Sequence, residues 1–476
     1  MELQHLTITQ IFDFYAKEEL SAVELITYCI ENIRKYNEEY NVFLYVRDPE
    51  ILLKEAHEAD EMRKTNPHKK LLGIPYSLKD SYMATGTITS AADRYLENTP
   101  SEYASTAHKL LREEGAILIG KVNMDAWGFG GSTENSSYKI TRNPHDPERI
   151  PGGSSGGSAA SVALDMCTFS IAEDTGGSTR NPASLCGLYG LKPTNGRISR
   201  FGCIAFASSL DTIAPIARSA EDLRIVLDVL STPDEYDMTH SVQTNQHSET
   251  KSFAYSYDFI PEGVHEETRQ LYLDQIEKFK SLGYTAVERS LKTFKYAIPT
   301  YYITCMSEAS TNLSRYNGTR YGNIYQKAVN EGYQALGIKN WEELYTTARM
   351  EGLNEEAKRR VFLGAYVLSE GFYDAYYKKA QQLRNMMKEE FEGILGQVDF
   401  MLSPVTLYSA PKIGERSLYS LDAYLEDVYT VPANLVGIPS VAFPAGTTSQ
   451  GLPIGMQILG RHFEDESLLK LLGALE

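Results

Sequence analysis

Apolar residues recur along the chain in two alternating spacings. Near the N-terminus, Ile11 and Phe12 stand four and three positions before Tyr15, as on the buried side of an amphipathic helix. Shorter apolar runs follow, such as residues 116–119 (AILI) and 167–171 (CTFSI), and each of them leads into a loop. Strands that alternate with helices are typical of an α/β fold with a largely buried sheet.

In the second half of the chain, a long helical stretch comes first and strand-like segments follow it. Residues 263–395 show mostly helical spacing, and strand-like segments punctuated by proline and glycine return at 398–460. We therefore predict a single domain over residues 1–476. Its sheet would be built from about 70–230 and 398–460, and a mostly helical insertion would occupy about 263–395.

Composition limits the function classes that need to be considered. The 476 residues carry a formal net charge of −17, which disfavours direct binding of nucleic acid by this chain. No apolar run approaches the roughly 18 residues of a membrane span, and the acidic N-terminus has no basic targeting region, so we expect a cytoplasmic protein. The five cysteines form no CxxC pair, and no metal site is predicted.

The stretch PGGSSGGS at 151–158 raises the question of chemistry. A flexible linker is disfavoured because a helical segment follows at once, with Ser158 as a candidate N-cap. A phosphate-binding Walker loop is excluded because Ser158, not lysine, follows Gly157. Gly152–Gly156 matches the GxSxG nucleophile elbow, but no strand-like run precedes it. The remaining interpretation is a catalytic loop in which glycines allow close approach and serines supply hydroxyl groups.

A second loop, EDTGGSTRNPAS at 173–184, follows the run at 167–171. Its successive main-chain N–H groups are suited to hold an oxyanion. A third segment, SLKDS, places Lys79 at the end of a strand. Because none of these three segments contains a histidine, a serine nucleophile here would more readily use Lys79 as its base, provided that burial keeps the amine neutral.

Taken together, PGGSSGGSAAS, DTGGS and the upstream GIPYSLKD resemble the amidase signature family in order and spacing. Further stretches, such as GLKPTNGRISRFGCIAFASSLD and TVPANLVGIPSVAFPAG, resemble the branch of that family formed by the A subunits of tRNA-dependent amidotransferases. The resemblance covers nearly the whole chain. It implies an α/β fold with a large central mixed β-sheet covered by helices on both faces.

The resemblance also implies catalytic roles. Ser178 would be the acyl-enzyme nucleophile, and Ser154 would pass its proton to Lys79, with a cis peptide between Gly153 and Ser154. Ser155 would hydrogen-bond Lys79 or support the loop. The main-chain N–H groups implied to form the oxyanion hole are those of Thr175, Gly176, Gly177 and Ser178.

For the substrate, the resemblance implies a clamp on the amino acid end of glutamine. Arg360 would bind the α-carboxylate, Asp427 would bind the α-ammonium group, and Tyr301, rather than Tyr302, would line the pocket. Without the resemblance, the basic run that contains Arg360 is more typical of a solvated helix face.

The implied function is a glutaminase subunit that supplies ammonia for the amidation of Glu-tRNA(Gln), with Asp-tRNA(Asn) left open as a second acceptor. No cofactor is expected in this chain. A B-like partner subunit would use ATP and Mg²⁺ and contact the tRNA, and a C-like subunit would complete a heterotrimer. The alternatives are a stand-alone amidase for small carboxylic amides and a catalytically silent scaffold. Arg360 and Asp427 favour the glutaminase subunit over the stand-alone amidase.

The sequence departs from the family pattern close to the predicted site. Glu173 stands where a small residue is usual, Thr179 and Asn181 replace the usual Ile and Gln, and Phe129 lies in an altered loop. We expect these departures to change the details of the pocket more than the Ser-Ser-Lys set.

Overall fold

The computed structural model describes residues 3–66, 68–245, 250–261, 264–415 and 425–476. The first residue of the predicted insertion, 263, lies outside these ranges.

Eleven strands are found in the described ranges, and all of them join one sheet. They are β1 Phe43–Val46, β2 Pro75–Lys79, β3 Ile117–Val122, β4 Phe169–Asp174, β5 Tyr189–Lys192, β6 Thr212–Ala217, β7 Ser252–Tyr255, β8 Thr285–Glu288, β9 Phe400–Pro404, β10 Ser440–Thr447 and β11 Pro453–Leu459.

The α-helices of the described ranges connect and cover these strands. They are α1 Ile8–Ala16, α2 Ala22–Tyr40, α3 Pro49–Arg63, α4 Thr106–Glu113, α5 Gly156–Ala163, α6 Arg180–Leu185, α7 Ala220–Leu230, α8 Glu266–Ser281, α9 Ala297–Leu313, α10 Asn323–Glu331, α11 Trp341–Gly352, α12 Glu355–Leu368, α13 Tyr377–Leu395, α14 Val431–Val436 and α15 Asp465–Gly473.

The sheet is mixed, as expected, and its strand order is β1-β3-β2-β4-β6-β5-β10-β11-β9-β7-β8. Strands β3, β2 and β4 run parallel, and so do β9, β7 and β8, whereas the strands between these two groups pair antiparallel. Every residue of β2, β3, β4, β6, β9 and β11 is buried. Because successive side chains point to opposite faces, such burial requires a cover on both faces.

Local sequence accounts for several helix starts. Helices α1 and α2 both begin with a capping box, Thr7 with Gln10 and Ser21 with Glu24, in which each side chain bonds the main chain of the other residue. Ile11 and Tyr15 of α1 are buried, which confirms the helical spacing read at the N-terminus. In the described ranges, no helix combines the length and the apolar character needed to cross a bilayer.

The predicted sheet segments are largely found. Strands β2–β6 and β9–β11 lie within 70–230 and 398–460, but β1, β7 and β8 lie outside these ranges. Strand β8 falls inside the predicted helical insertion, which otherwise carries α8–α13. That the whole chain forms one domain stays a prediction.

Candidate active site

Three chain segments meet at one edge of the sheet. Lys79 is the last residue of β2, and the loop at 175–179 directly follows β4. Strands β2 and β4 are parallel neighbours, so their carboxyl ends lie together, where ligand sites of α/β sheets are usually found. The glycine-serine stretch precedes α5, which packs on both strands.

The first link of the predicted Ser-Ser-Lys set is present. Lys79 Nζ donates a hydrogen bond of 2.8 Å to Ser154 Oγ. Both side chains are buried. A lysine held in such surroundings and aimed at a hydroxyl group is placed to exchange a proton with it.

The Gly153–Ser154 peptide is cis, as expected. A Cβ atom on Gly153 would lie 2.3 Å from Asp125 Oδ2 and 2.5 Å from the Ser132 main-chain nitrogen. Only glycine therefore fits between these two groups. Asp125 also accepts hydrogen bonds from the main-chain N–H groups of Thr133 and Asn135, so one buried carboxylate shapes the loop against which Gly153 packs.

Ser155 supports the loop. Its hydroxyl donates to the carbonyl oxygen of Glu173 at 3.3 Å, and its main-chain N–H donates to the carbonyl oxygen of Ser178 at 3.2 Å. The two serine loops are thus joined through Ser155. Helix α5 begins at Gly156 with Ser155 at its N-cap, so the expectation of Ser158 as the N-cap is wrong: Ser158 is a buried residue inside the helix.

Ser178 is partly exposed and lines a pocket, together with Gly176. Among the described residues, no side chain hydrogen-bonds its hydroxyl group, so the second link, from Ser178 to Ser154, stays a prediction. Gly176 packs so closely on Tyr301 that a Cβ atom there would lie 2.4 Å from the phenol oxygen.

The predicted oxyanion hole needs a correction at Gly177. Its main-chain N–H donates 2.8 Å to Asp174 Oδ1, so this N–H is already bonded. The reason is a buried ion pair that sequence reasoning missed. Arg180 places Nε 3.0 Å from Asp174 Oδ2 and Nη2 3.0 Å from Oδ1. Thr175, Gly176 and Ser178 stay predicted donors.

This ion pair ties the loop at 175–179 to the second half of the chain. Arg180 also donates to the Thr430 carbonyl oxygen at 3.0 Å and to Asn434 Oδ1 at 2.7 Å, and both Asp174 and Arg180 are fully buried. Burial opposes ionisation of Asp174, but the Arg180 guanidinium, the Asn434 hydrogen bond and Lys192 together lower the pKa of Asp174 to about 2. The carboxylate therefore stays charged and can hold the loop.

The predicted substrate clamp converges on the same pocket as Ser178. Tyr301, Tyr302, Arg360 and Asp427 all line it. Tyr302 donates 2.9 Å to Asp427 Oδ2, so this tyrosine, which we expected to matter less than Tyr301, fixes the acidic end of the clamp. Burial raises the pKa of Asp427 to about 7, against the Tyr302 hydrogen bond, which lowers it.

Arg360 is held on α12 by groups that the sequence did not connect with it. Its Nε donates 2.7 Å to Glu356 Oε1, one helical turn earlier. Its guanidinium carbon lies 5.2 Å from the ring centre of Phe129 and 5.8 Å from that of Phe206. With Nε engaged and aromatic rings beside it, the guanidinium has a fixed plane, which suits recognition of a carboxylate. The signal for Glu356 was its i, i+4 spacing from Arg360.

Of the family departures, Asn181 borders the glycine-serine stretch, Thr179 bonds the buried Asp174, and Glu173 lies beside Lys79. Asn181 Oδ1 would lie 2.3 Å from a Cβ atom on Gly152, and the Thr179 N–H donates to Asp174. Glu173 places Oε2 3.8 Å from Lys79 Nζ. In the part of the chain that the structure describes, no group of three or more His, Cys, Asp or Glu side chains is arranged to hold a metal ion.

Comparison with protein families places these features in context. Residues 24–469 match the model of the family described as Amidase. The A subunit of glutamyl-tRNA(Gln) amidotransferase from Geobacillus thermodenitrificans (strain NG80-2) is 40% identical over 484 residues, covering 100% of this chain and 98% of that protein. The protein of the same name from Macrococcus caseolyticus (strain JCSC5402) is 42% identical, covering 98% of this chain and 96% of that protein.

Solved structures agree with this grouping. The crystal structure of the glutamyl-tRNA(Gln) amidotransferase A subunit from Thermotoga maritima superimposes with a TM-score of 0.79 at 32% identity, covering 99% of this chain and 94% of that one. A crystal structure described as an amidase superimposes with a TM-score of 0.81 at 25% identity, covering 99% of both chains.

Proposed function

The chain belongs to the amidase family, and from this premise we propose that it is the glutamine-hydrolysing A subunit of a tRNA-dependent amidotransferase. The observation that carries the proposal is the meeting of two sets of groups in one pocket. Ser178 lines this pocket, and its loop is bonded through Ser155 to the stretch that carries Ser154, the partner of Lys79. Arg360 and Asp427 line the same pocket. A simple amide has no α-carboxylate or α-ammonium group for the second set to bind.

The chemistry follows from the order of these groups. Ser178 loses its proton to Ser154, whose own proton moves to Lys79 across their 2.8 Å hydrogen bond. The Ser178 oxygen attacks the side-chain amide carbon of glutamine, and main-chain N–H groups of the loop at 175–178 stabilise the oxyanion. Lys79 then returns the proton to the leaving nitrogen, which departs as ammonia. Water hydrolyses the γ-glutamyl ester by the same groups in reverse order.

The clamp determines which amide reaches the serine. A guanidinium binds a carboxylate through two parallel hydrogen bonds, and a carboxylate binds an ammonium group. Arg360 and Asp427 therefore orient glutamine by its amino acid end. Because Tyr302 bonds Asp427 and Glu356 bonds Arg360, both ends of the clamp are set before substrate arrives.

The remaining parts of the reaction belong to partner subunits. The ammonia passes to a B-like subunit that activates Glu-tRNA(Gln) with ATP and Mg²⁺, and a C-like subunit completes the assembly. The net charge of −17 disfavours direct binding of tRNA by this chain and so supports binding by a partner subunit. This function places the complex in the cytoplasm.

The test is reconstitution. The chain is co-expressed with candidate B-like and C-like subunits, and glutamine-dependent formation of Gln-tRNA from Glu-tRNA is measured, with Ser178→Ala as the inactive control. We expect conversion with the wild type and none with Ser178→Ala, which retains conversion when ammonium salt replaces glutamine. Hydrolysis of small amides without any conversion of Glu-tRNA would instead support the stand-alone amidase. The same assay with Asp-tRNA(Asn) shows whether this tRNA is also an acceptor.

A further inference from the structure

A carboxyl group lies beside the proposed base in addition to the Ser154 hydroxyl. Glu173 Oε2 is 3.8 Å from Lys79 Nζ, and the two side chains are 3% and 1% exposed. The main-chain carbonyl oxygen of Glu173 lies 3.5 Å from the same nitrogen and also accepts the Ser155 hydroxyl. One residue of β4 therefore borders Lys79 with both its main chain and its side chain.

Glu173 also faces a second cavity, which is separate from the pocket of Ser178. Among the described residues, no group donates a hydrogen bond to Glu173 Oε1, although this oxygen is buried. The cavity gives the carboxyl group a route to solvent that avoids the substrate pocket. Its charged and sulfur-bearing lining groups, apart from Glu173, are Arg200, Cys203, Asp211, Asp237 and Arg315.

The charges around this carboxyl group differ in sign. Burial and the Asp211 carboxylate raise the pKa of Glu173 to about 8, and Lys79, the Ser81 hydroxyl and Arg200 act in the opposite direction. The other titratable groups that face Glu173 or Lys79 are Tyr82, Cys203 and Asp125. Glu173 therefore changes its charge at mildly alkaline pH.

We propose that Glu173 is a positioning residue for Lys79, which it holds against Ser154, and that its charge governs the pH at which the lysine amine becomes free to accept a proton. A carboxylate within about 4 Å of an ammonium group favours the charged form of that group. A general base must be in its free form to act. Glu173 thus moves the onset of serine activation to higher pH. The proposal rests on the base role of Lys79 in the proposed function.

The experiment measures serine activation without glutamine. The full chain is incubated with a fluorophosphonate probe between pH 5.5 and 9.5, and the rate of labelling of Ser178 is followed by mass spectrometry. In Glu173→Gln, which keeps the shape and removes the charge, we expect the half-point of the rising limb to fall by about one pH unit or more. Glu173→Asp, which restores the charge, should return the half-point toward that of the wild type.

Two controls isolate the effect. Ser178→Ala should abolish labelling. Asp222→Asn removes another buried carboxylate, one that bonds the Ile8 main-chain N–H at the start of α1, and it should leave the half-point unchanged. If Glu173→Gln fails to fold, Glu173→Ser is measured against the same criterion.

A half-point that is unchanged or higher in the neutral variant would overturn the proposal. So would a wild type that the probe does not label at Ser178, since the base role of Lys79 would then lose its support. Because the probe contains no amino acid group, failure to hydrolyse glutamine would overturn the proposed function and leave the pH shift standing.

Discussion

At the residue scale, the site depends on a few side chains whose surroundings fix their chemistry. Lys79 and Lys192 are both buried lysines at or near the end of a strand, but only Lys79 faces a serine hydroxyl. Lys192 Nζ donates to the carbonyl oxygen of Pro193 and to Asn195 Oδ1 instead. The two lysines therefore form a matched pair for testing the base.

Lys79→Met should lower kcat/KM for glutamine by roughly a hundred- to ten-thousandfold, the range ascribed to general base catalysis. The folded fraction of Lys192→Met should keep most of the wild-type activity. Steady-state kinetics on both variants, with circular dichroism as a check of folding, decide the matter. Replacement of any single histidine, such as His145, should also leave most activity, and a folded but inactive histidine variant would contradict a lysine base.

Arg360→Ala should lower kcat/KM for glutamine by about ten- to a hundredfold, because charge-assisted contacts of this kind contribute roughly 1.5–3 kcal/mol. In the same variant, kcat/KM for a short aliphatic amide should fall little, since this substrate has no α-carboxylate to contact Arg360. Arg360→Lys should restore only part of the lost kcat/KM for glutamine, because lysine has no planar guanidinium to form two parallel hydrogen bonds.

Arg359→Ala is the control for this prediction, as Arg359 also bonds Glu356 but is partly exposed. We expect it to retain most glutamine hydrolysis. Equal losses for glutamine and the simple amide in Arg360→Ala would make Arg360 structural. A loss in Arg359→Ala alone would mean that the clamp residue lies one position earlier.

Much of the site could be read from sequence because its chemistry is concentrated in short segments. Lys79, Ser154 and Ser178 sit in three compact motifs, and local glycine and serine content identifies them. Asp174 with Arg180, and Tyr302 with Asp427, could not be inferred in this way. Tyr302 and Asp427 come from segments far apart in the chain. Asp174 and Arg180 share one segment, but the further partners of Arg180, Thr430 and Asn434, are distant in sequence. The sequence does not show which of many polar side chains will meet.

At the scale of elements, the same contrast applies to the sheet. Buried central strands such as β3 and β9 begin with short apolar runs, ILI and FML, that are recognisable in sequence. Strands β1 and β8 form the two edges of the sheet and each has only four residues, half of them or fewer buried. An edge strand pairs on one side only, so its pattern is weak, and its place in the sheet is decided by a distant neighbour.

The nucleophile loop is held in place by an ion pair that joins β4, α6 and α14. Arg180→Met would leave the Asp174 carboxylate buried without its partner, a loss of roughly 3–5 kcal/mol. Because the folded-state pKa of Asp174 is lowered to about 2, the pair contributes fully above the ordinary value of 3.8 and loses its effect as pH falls through 2. We therefore expect a lower thermal midpoint at pH 7 together with a loss of glutaminase activity.

Arg224→Met is the comparison for this variant. Arg224 bonds Glu221 on the exposed side of α7, where an ion pair contributes about 0–1 kcal/mol. Differential scanning calorimetry should find a clear drop in the midpoint for Arg180→Met and almost none for Arg224→Met. Similar midpoints for the two would show that the buried pair does not anchor the loop.

At the scale of the whole molecule, several buried acids are held in surroundings that oppose their charge. Burial raises the pKa of Asp125 to about 6, and that of Asp222 and of Asp427 to about 7. An acid whose pKa is raised on folding binds more protons in the folded state than in the unfolded one. Its contribution to stability therefore falls as pH rises from the ordinary value through the raised one.

The thermal midpoint should consequently be higher at pH 6 than at pH 8, and repulsion within a chain of net charge −17 acts in the same direction. Asp222→Asn, far from the pocket, removes one of these acids and should reduce the difference between the two pH values. Calorimetry of both proteins at pH 6, 7 and 8 provides the test. A midpoint that rises with pH would contradict the assignment.

The order of the sheet has a consequence for synthesis on the ribosome. Strand β5, at 189–192, pairs on one side with β10, where Lys192 lies opposite Ser440. At roughly 5–20 residues per second, that partner emerges on the order of 10–50 s after β5. Until then the nascent chain presents an open strand edge, and Ser178 has no Asp427 across from it. The growing polypeptide is thus open to pairing with other strands, and we expect it to hydrolyse no glutamine until Asp427 has been translated.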